Sequence, residues 1–592
     1  MKGKLLILLV VICLAAGLFV LTACGREEEQ ADPEVVDAIV DPEPEPPPTT
    51  GGDDDETGDD DETEEIAENG GIPVDPLGRF DETVDVTQTR ILTAWMGFDE
   101  GENEDYNWWT RAYYEHLNVR LSNMFTADNW GEPFDMAINL AFATGELPDV
   151  MPLYTSLAVR ALEGGLVMDI TDLFATHASQ QVQEIFAIDP RAIEAWSVNG
   201  RMMGLSNPLS PPDFAFIWVP RSMLYDFNGG TVPTTFEELN ELAHWVRDYT
   251  GGHAIGLDNQ LRELGDMAAM FGATDQWIEQ GGELVWGRVQ PEMRDAWAQL
   301  AQWYADGVLA VDFAVRSDDD VEADFINRRF GMLVGGSHVP NGSRGRNYML
   351  LHPDDDLIAI PMMTASGAPI NVVRSGGYND VLMISANASE EVAVAIMRMY
   401  NLGTAIENDA ERPHWVTNHY FNTTPGGNMG WWNRMATGNG AVGDIRPEFD
   451  AGQLARNLVL AGSDGSELRD ARAFRTLENF ERVMDWLNYG TNADNWEGNW
   501  AMWSMLLGSE SSVINNQMFA EGRVSHSPRW GVETPAEAVN NANLAARYIE
   551  FATIAIMQND VDNQFDQWVA FFENNGGADI NAQVNEWWAE HR

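Results

Sequence analysis

Lysine is the first thing this chain lacks. Its only lysines are Lys2 and Lys4, so everything beyond the N-terminus is lysine-free. Schiff-base and pyridoxal chemistry need that amine and are excluded. A P-loop is excluded as well, because it needs Gly-Lys-Ser/Thr. Cysteine is almost as scarce, with only Cys13 and Cys24. Both lie in the N-terminal segment, so no disulfide is expected to staple the folded body, and its stability must come from core burial. Positive charge is short overall. Thirty-four basic residues face 94 acidic ones, for a formal net charge of -60. Nucleic acid needs basic partners and is disfavoured. Anionic lipid headgroups are disfavoured for the same reason. No internal repeat is visible, and no second hydrophobic run is long enough to span a bilayer.

The one long hydrophobic run is Leu5 to Val20, interrupted by Gly17 and preceded by Lys2 and Lys4. It ends in Leu21-Thr22-Ala23-Cys24. A basic start, an apolar core and small residues before a cleavage point describe an export signal. The last four residues resemble the bacterial lipobox. That resemblance implies residues 1–23 as signal peptide and Cys24 as the lipidated first residue of the mature chain. Residues 24–88 read as a disordered tether. They hold Glu27-Glu28-Glu29, Pro46-Pro47-Pro48, Asp53-Asp54-Asp55 and Asp59-Asp60-Asp61, with almost no aromatic residue. Such a segment buries too little apolar area to offset its ordering entropy. Its random-coil reach is roughly 40–50 Å, extended further by self-repulsion.

The remaining length suits two large lobes rather than one domain. Arg90 to Met96 reads as a strand, Tyr106 to Leu117 as a helix, and Val119 to Met124 as a second strand. Phe134 to Ala143 reads as a helix ended by Gly145, before a short buried strand at Asp149-Val150-Met151. Further on, Thr234 is expected to cap a helix with Glu237 at the reciprocal position. Pro291 opens another helix, which closes near Gly307. Phe330–Gly335, Leu357–Pro361 and Asp380–Ser385 read as strands, the last leading to a helix over Ser389–Tyr400. Alternating strands and helices predict an α/β fold.

Several stretches in this order carry a more specific likeness. They are Ala143-Thr144-Gly145-Glu146-Leu147-Pro148-Asp149-Val150, Val232-Pro233-Thr234-Thr235-Phe236-Glu237-Glu238-Leu239, Asp306 to Phe313, Phe330-Gly331-Met332, Ser389 to Tyr400 and Phe565 to Trp588. Together, behind a lipobox, they resemble the extracellular solute-binding lipoproteins of ABC importers, in the family that includes sugar and oligosaccharide receptors. The departure is Arg329 where that family often has a Gly-Lys. The resemblance implies a two-lobed periplasmic-binding-protein-like fold of type II, with hinge crossovers and a helix-rich C-terminal third. It implies residues 89–210 as the first part of lobe 1, 211–376 as the first part of lobe 2, and 377–592 as a return to lobe 1 followed by helical elements of both lobes. Crossings are expected near Ser206–Trp218 and near Gly376–Asn379.

In open α/β sheets ligands sit outside the carboxyl ends of strands. That rule selects Trp95 after the first strand, Trp130 after the second, and Tyr154 with Thr155 after the third. It also selects His338 after the strand near Val334. Trp218 and Tyr378 lie at the expected crossings, and Trp431-Trp432 sits in a glycine- and asparagine-rich loop. Twenty-two tryptophans would supply flat apolar faces for the C–H face of a sugar. Each has packing as its alternative, because tryptophans are highly buried on average. Asp149 reads as a structural cap.

No His-Glu-x-x-His, Gly-x-Ser-x-Gly or zinc spacing is present, so no catalytic residue, metal or cofactor is assigned. The expected function is a lipid-anchored, monomeric receptor on the extracellular face of a Gram-positive membrane. It would hold an oligosaccharide and hand it to an ABC permease, without covalent chemistry. Two alternatives remain. One is an exported glycoside hydrolase or lyase, which needs two carboxylates across a cleft. The other is a peptide receptor on the same scaffold, for which Arg201, Arg221 and Arg374 would fix termini.

Overall fold

The computed structural model describes residues 74–91, 103–127, 132–206, 213–378, 380–407, 447–470 and 474–592. The strands run, in chain order, β1 (Val84–Ile91), β2 (Val119–Ala127), β3 (Val150–Tyr154), β4 (Ser197–Val198), β5 (Arg201–Met202), β6 (Leu205–Ser206) and β7 (Phe216–Pro220). They continue with β8 (Trp277–Gln280), β9 (Glu283–Trp286), β10 (Leu333–Gly335), β11 (Leu357–Pro361), β12 (Val372–Arg374), β13 (Asp380–Ile384) and β14 (Val524–His526).

Two sheets organise the body. The first has the order β2-β1-β3-β13-β6. Its β1 is parallel to both β2 and β3, whereas β13 runs antiparallel to β3 and β6. In β1, Val84 and Val86 are buried while Asp85 is exposed. β3 is an uninterrupted apolar run, buried from Val150 to Leu153. That is what a strand covered on both faces requires. The second sheet has the order β10-β7-β11, antiparallel throughout. Single bridges extend it past β10, because Ile255 pairs in parallel with Met332 and Leu309.

Each sheet has its own apolar core. Val86, Trp109, Ile138, Phe186, Met383 and Met397 belong to the first. Trp218, Leu242, Trp297, Phe325, Met332 and Trp568 belong to the second. The C-terminal helices Pro535–Gln558 and Val561–Phe572 add Leu544, Tyr548 and Phe565 to the second core. Apolar burial at about 25 cal/mol per Å2 makes these two clusters the main source of stability.

Several local expectations shift. The sheet begins at Val84, inside the stretch read as tether, and Phe80 is already buried. The acidic pair Asp81-Glu82 hides the start of an alternating strand. The helix Phe236–Thr250 is capped one residue later than expected, by Thr235 with Glu238 rather than Thr234 with Glu237. Thr234 contributes its own N–H to the Glu238 carboxylate at 2.8 Å. The helix expected over Tyr106–Leu117 is an α-turn at Trp108–Ala112 followed by a π-turn at Tyr113–Leu117, which puts Trp109, Tyr113 and Leu117 in the core.

Candidate functional site

Three short passages join the two cores, besides the long span from Leu402 in the first core to Trp500 in the second. Ser206 ends β6 in the first sheet, and Phe214 already packs in the second core. Arg374 ends β12 and Asp380 starts β13 in the first sheet. The third passage leaves β14 at His526, puts Trp530 into the first core and returns Ala536 to the second. β12 and β14 pair in parallel, so the second and third passages begin side by side. The Ser527 N–H donates to the Arg374 carbonyl at 2.7 Å, and the Arg374 Nε–H donates to the Asp213 carbonyl at 2.6 Å. A Cβ on Gly376 would strike the Arg529 carbonyl, so only glycine lets these passages lie this close.

On the first sheet, the carboxyl end of β3 places Tyr154 and Thr155. Tyr154 caps the helix Thr155–Glu163 with extended backbone and keeps its ring half-buried. Its hydroxyl donates to Asp135, from the helix Glu132–Thr144. Burial, reinforced by that carboxylate, pushes the Tyr154 phenol up to about 12. It therefore remains a neutral hydrogen-bonding group across physiological pH. Asp149 has the structural role expected of it. Its carboxylate accepts from the Thr87 N–H at 2.8 Å and the Thr87 hydroxyl at 2.7 Å, tying β3 to β1.

On the second sheet, the carboxyl end of β10 runs into Gly336, Ser337 and His338. The His338 imidazole is 72% exposed, and its Nδ1 lies 2.8 Å from Asp213 Oδ2. The Ser337 N–H donates to both Asp213 oxygens at 3.0 Å. Burial pushes the Asp213 carboxyl up, but the His338 and Ser337 hydrogen bonds outweigh it and hold the group below the usual range. The neighbouring strand end, after Ile255, opens into the loop Asp258–Glu263. Asp258 is fully buried and its Oδ1 accepts from the N–H groups of Gln260 and Arg262, both at 3.1 Å. Arg374 pairs with Asp266, whose carboxyl burial pushes up despite that partner. Both sheets thus present rigid hydrogen-bonding groups at their carboxyl ends, beside the passages that join them.

Not every expected residue is there. Trp218 sits in the middle of β7 with no exposed surface, and its indole N–H donates to the Gly336 carbonyl at 3.1 Å. All five residues of β7 are buried, because the strand is central and covered on both faces. Trp218 is a core residue. Tyr378 is also buried, in a left-handed backbone conformation, with its hydroxyl on Asp189 and the Trp196 indole on its carbonyl at 2.9 Å. It anchors the second passage to the first core. Tyr154, Thr155 and His338 lie at strand ends as expected. Trp95, Trp130, Trp431, Trp432 and Cys24 lie outside the described residues. Sequence reading missed Asp213, the loop Asp258–Glu263, and the Arg374–Asp266 pair as a unit. The available signal was Ala254-Ile255-Gly256, an apolar pair meeting a glycine, too short to read as a strand.

Other charged groups are engaged elsewhere. Arg201 pairs with Asp169 and Asp172, and Arg221 with Asp356. A separate cavity of about 770 Å3 lies on the flank of the second sheet, along β11, with Tyr225, Val232, Ala359, Met362, Ser509 and Ile514 in its wall. Among the described residues no helix is long and apolar enough to cross a membrane, and no group of three acidic, histidine or cysteine side chains is placed to hold a metal.

No protein-family model matches the chain, and no curated protein matches it. Solved structures do. The alginate-binding protein AlgQ2, in a structure without calcium ion, superposes with a TM-score of 0.56 at 14% identity, covering 86% of this chain and 99% of that one. The ABC-transporter substrate-binding protein FusA of S. pneumoniae, in complex with kestose, gives 0.55 at 11% identity, over 86% and 99%. The N-glycan transport solute-binding protein NgtS of Streptococcus pneumoniae gives 0.52 at 12%, over 86% and 99%. The fold is therefore the two-lobed, type II fold of solute-binding proteins, mixed α/β and rich in helix.

Proposed function

We propose that this protein is an extracellular receptor that captures an oligosaccharide between its two lobes and presents it to an ABC permease. The observation that carries the reading is the match over 86% of the chain to proteins described as binding alginate or kestose or as transporting N-glycans. The local chemistry supports it. Tyr154 with Asp135, and His338 with Asp213, offer neutral and charge-assisted hydrogen bonds to hydroxyl groups from opposite lobes. The arginines that would hold peptide termini, Arg201, Arg221 and Arg374, already have carboxylate partners. Closure of the lobes around the ligand is the working step, and no bond of the ligand is made or broken. The lipobox at Leu21–Cys24 would fix the receptor to the outer face of the membrane, with residues 25–73 as spacer.

The test is thermal unfolding of the chain from Gly25 against a panel of neutral oligosaccharides, uronic-acid oligosaccharides and short peptides. A true ligand at about 100 times its Kd adds roughly 2.7 kcal/mol. Stabilisation by a saccharide that is recovered intact supports the receptor. Cleavage of the saccharide overturns it in favour of a hydrolase or lyase, and stabilisation by peptides alone overturns the ligand class.

A further inference from the structure

The loop Asp258–Glu263 follows the same sheet edge that positions His338, and its charge is incomplete. Glu263 is only 7% exposed, and its Oε2 is buried without a hydrogen-bond partner. The Arg344 guanidinium, from the helix Ser343–Leu351, stays 3.9 Å from the other oxygen. That arginine is already taken by Asp318 and faces Glu322 at 3.9 Å, both from the helix Asp318–Ile326. Within the loop, Arg262 lies 3.2 Å from both Asp258 and Asp318. Asp266, one turn on, is paired with Arg374. Two guanidinium groups, Arg262 and Arg344, therefore face four carboxylates, Asp258, Asp318, Glu322 and Glu263, and among the described residues no other cation pairs with this set. The backbone is poised as well. Leu261 holds φ +53, a left-handed conformation that a bulky side chain adopts only under constraint.

We propose that the loop Asp258–Glu263 is a proton-dependent part of the second lobe's ligand wall, ordered as described while the Glu263 carboxyl keeps its proton and loosened when it ionises. Ionisation puts a fourth carboxylate charge against two guanidinium groups, next to the fully buried Asp258, and the cheapest relief is to open the loop to water. Burial pushes the Glu263 carboxyl up to about 7, helped by the charges of Asp258 and Asp318 and opposed by a hydrogen bond from its own backbone N–H and by Arg344. The switch thus falls within the ordinary extracellular range. Its effect on ligand affinity rests on the receptor reading, whereas the loop's own response does not.

The experiment reads the loop directly, by hydrogen exchange of the peptide spanning 256–268 in the ligand-free protein from pH 5 to 9, corrected for the intrinsic exchange rate. Protection should fall at least tenfold as pH rises through neutrality, and Glu263→Gln should retain it throughout. Constant protection in the wild type, or the same loss in Glu263→Gln, overturns the proposal. If Glu263→Gln does not fold, two neighbours decide. Asp318→Asn should move the transition to lower pH, and Arg344→Gln should move it to higher pH. Shifts in the same direction, or none, overturn it.

Discussion

Asp149 joins two strands through one carboxylate. Replacing it with alanine strips both Thr87 bonds and should cost about 2–4 kcal/mol in urea unfolding, while leaving ligand affinity within a few-fold. Glu263 acts in the opposite sense, through pH. Its folded-state pKa lies above the unfolded value, so its contribution is complete below about pH 4 and is lost as pH rises through about 7. The loss amounts to about 3 kcal/mol. Stability measured from pH 4 to 8 should therefore decline more in wild type than in Glu263→Gln. These residues also show the limit of sequence reading. Asp149 was legible as structural, from a Pro-Asp before an apolar run, but not as the clasp between two strands that replaces the expected cap. Trp218 was not, because period and hydropathy are the same for a tryptophan in a sheet centre and one at a cleft. Only the strand order β10-β7-β11 separates the two. Glu263 lay beyond reach, because its environment is assembled from two later helices.

Element types were easier to read than element edges. The apolar runs at β3, β11 and β13 announced strands, and Pro291 and Gly307 bracketed their helix as the dihedral demands predict. The start of β1 was hidden, because Thr83 to Gln88 alternates polar and apolar residues directly after acidic sequence. A chain starting at Val74 should fold, whereas one starting at Thr89 loses Val84 and Val86 from the first core. That shorter chain should show exposed apolar surface and rapid proteolysis of the first lobe. The third passage between the cores was also unanticipated. It is held by Arg529, which pairs with Glu537 at 2.6 Å while its guanidinium stacks over Trp587 at 4.6 Å. Both partners of that pair are buried. Arg529→Ala leaves Glu537 uncompensated and should destabilise by about 3–5 kcal/mol in chemical denaturation. Replacing Arg529 and Glu537 together with methionine and leucine should cost much less.

For the whole molecule, a net charge of -60 sets the terms. Like charges repel within the compact state, and salt screens them. The midpoint of thermal unfolding should rise between 10 mM and 300 mM sodium chloride, in contrast to a protein held mainly by surface ion pairs. Fold class was legible because strand–helix alternation is a property of the whole chain and survives errors at single edges. The ligand of the proposed receptor would be chosen by a few side chains on loops, where periodicity says nothing. The three passages carry a mechanical consequence. The second and third begin as paired parallel strands and the first is hydrogen-bonded to them at Asp213, so their described ends form a narrow ribbon. A ribbon flexes across its flat face and resists shear in its own plane. On the receptor reading the lobes should then move mainly by bending about this ribbon, and any two distances measured between them should change in fixed proportion when ligand binds.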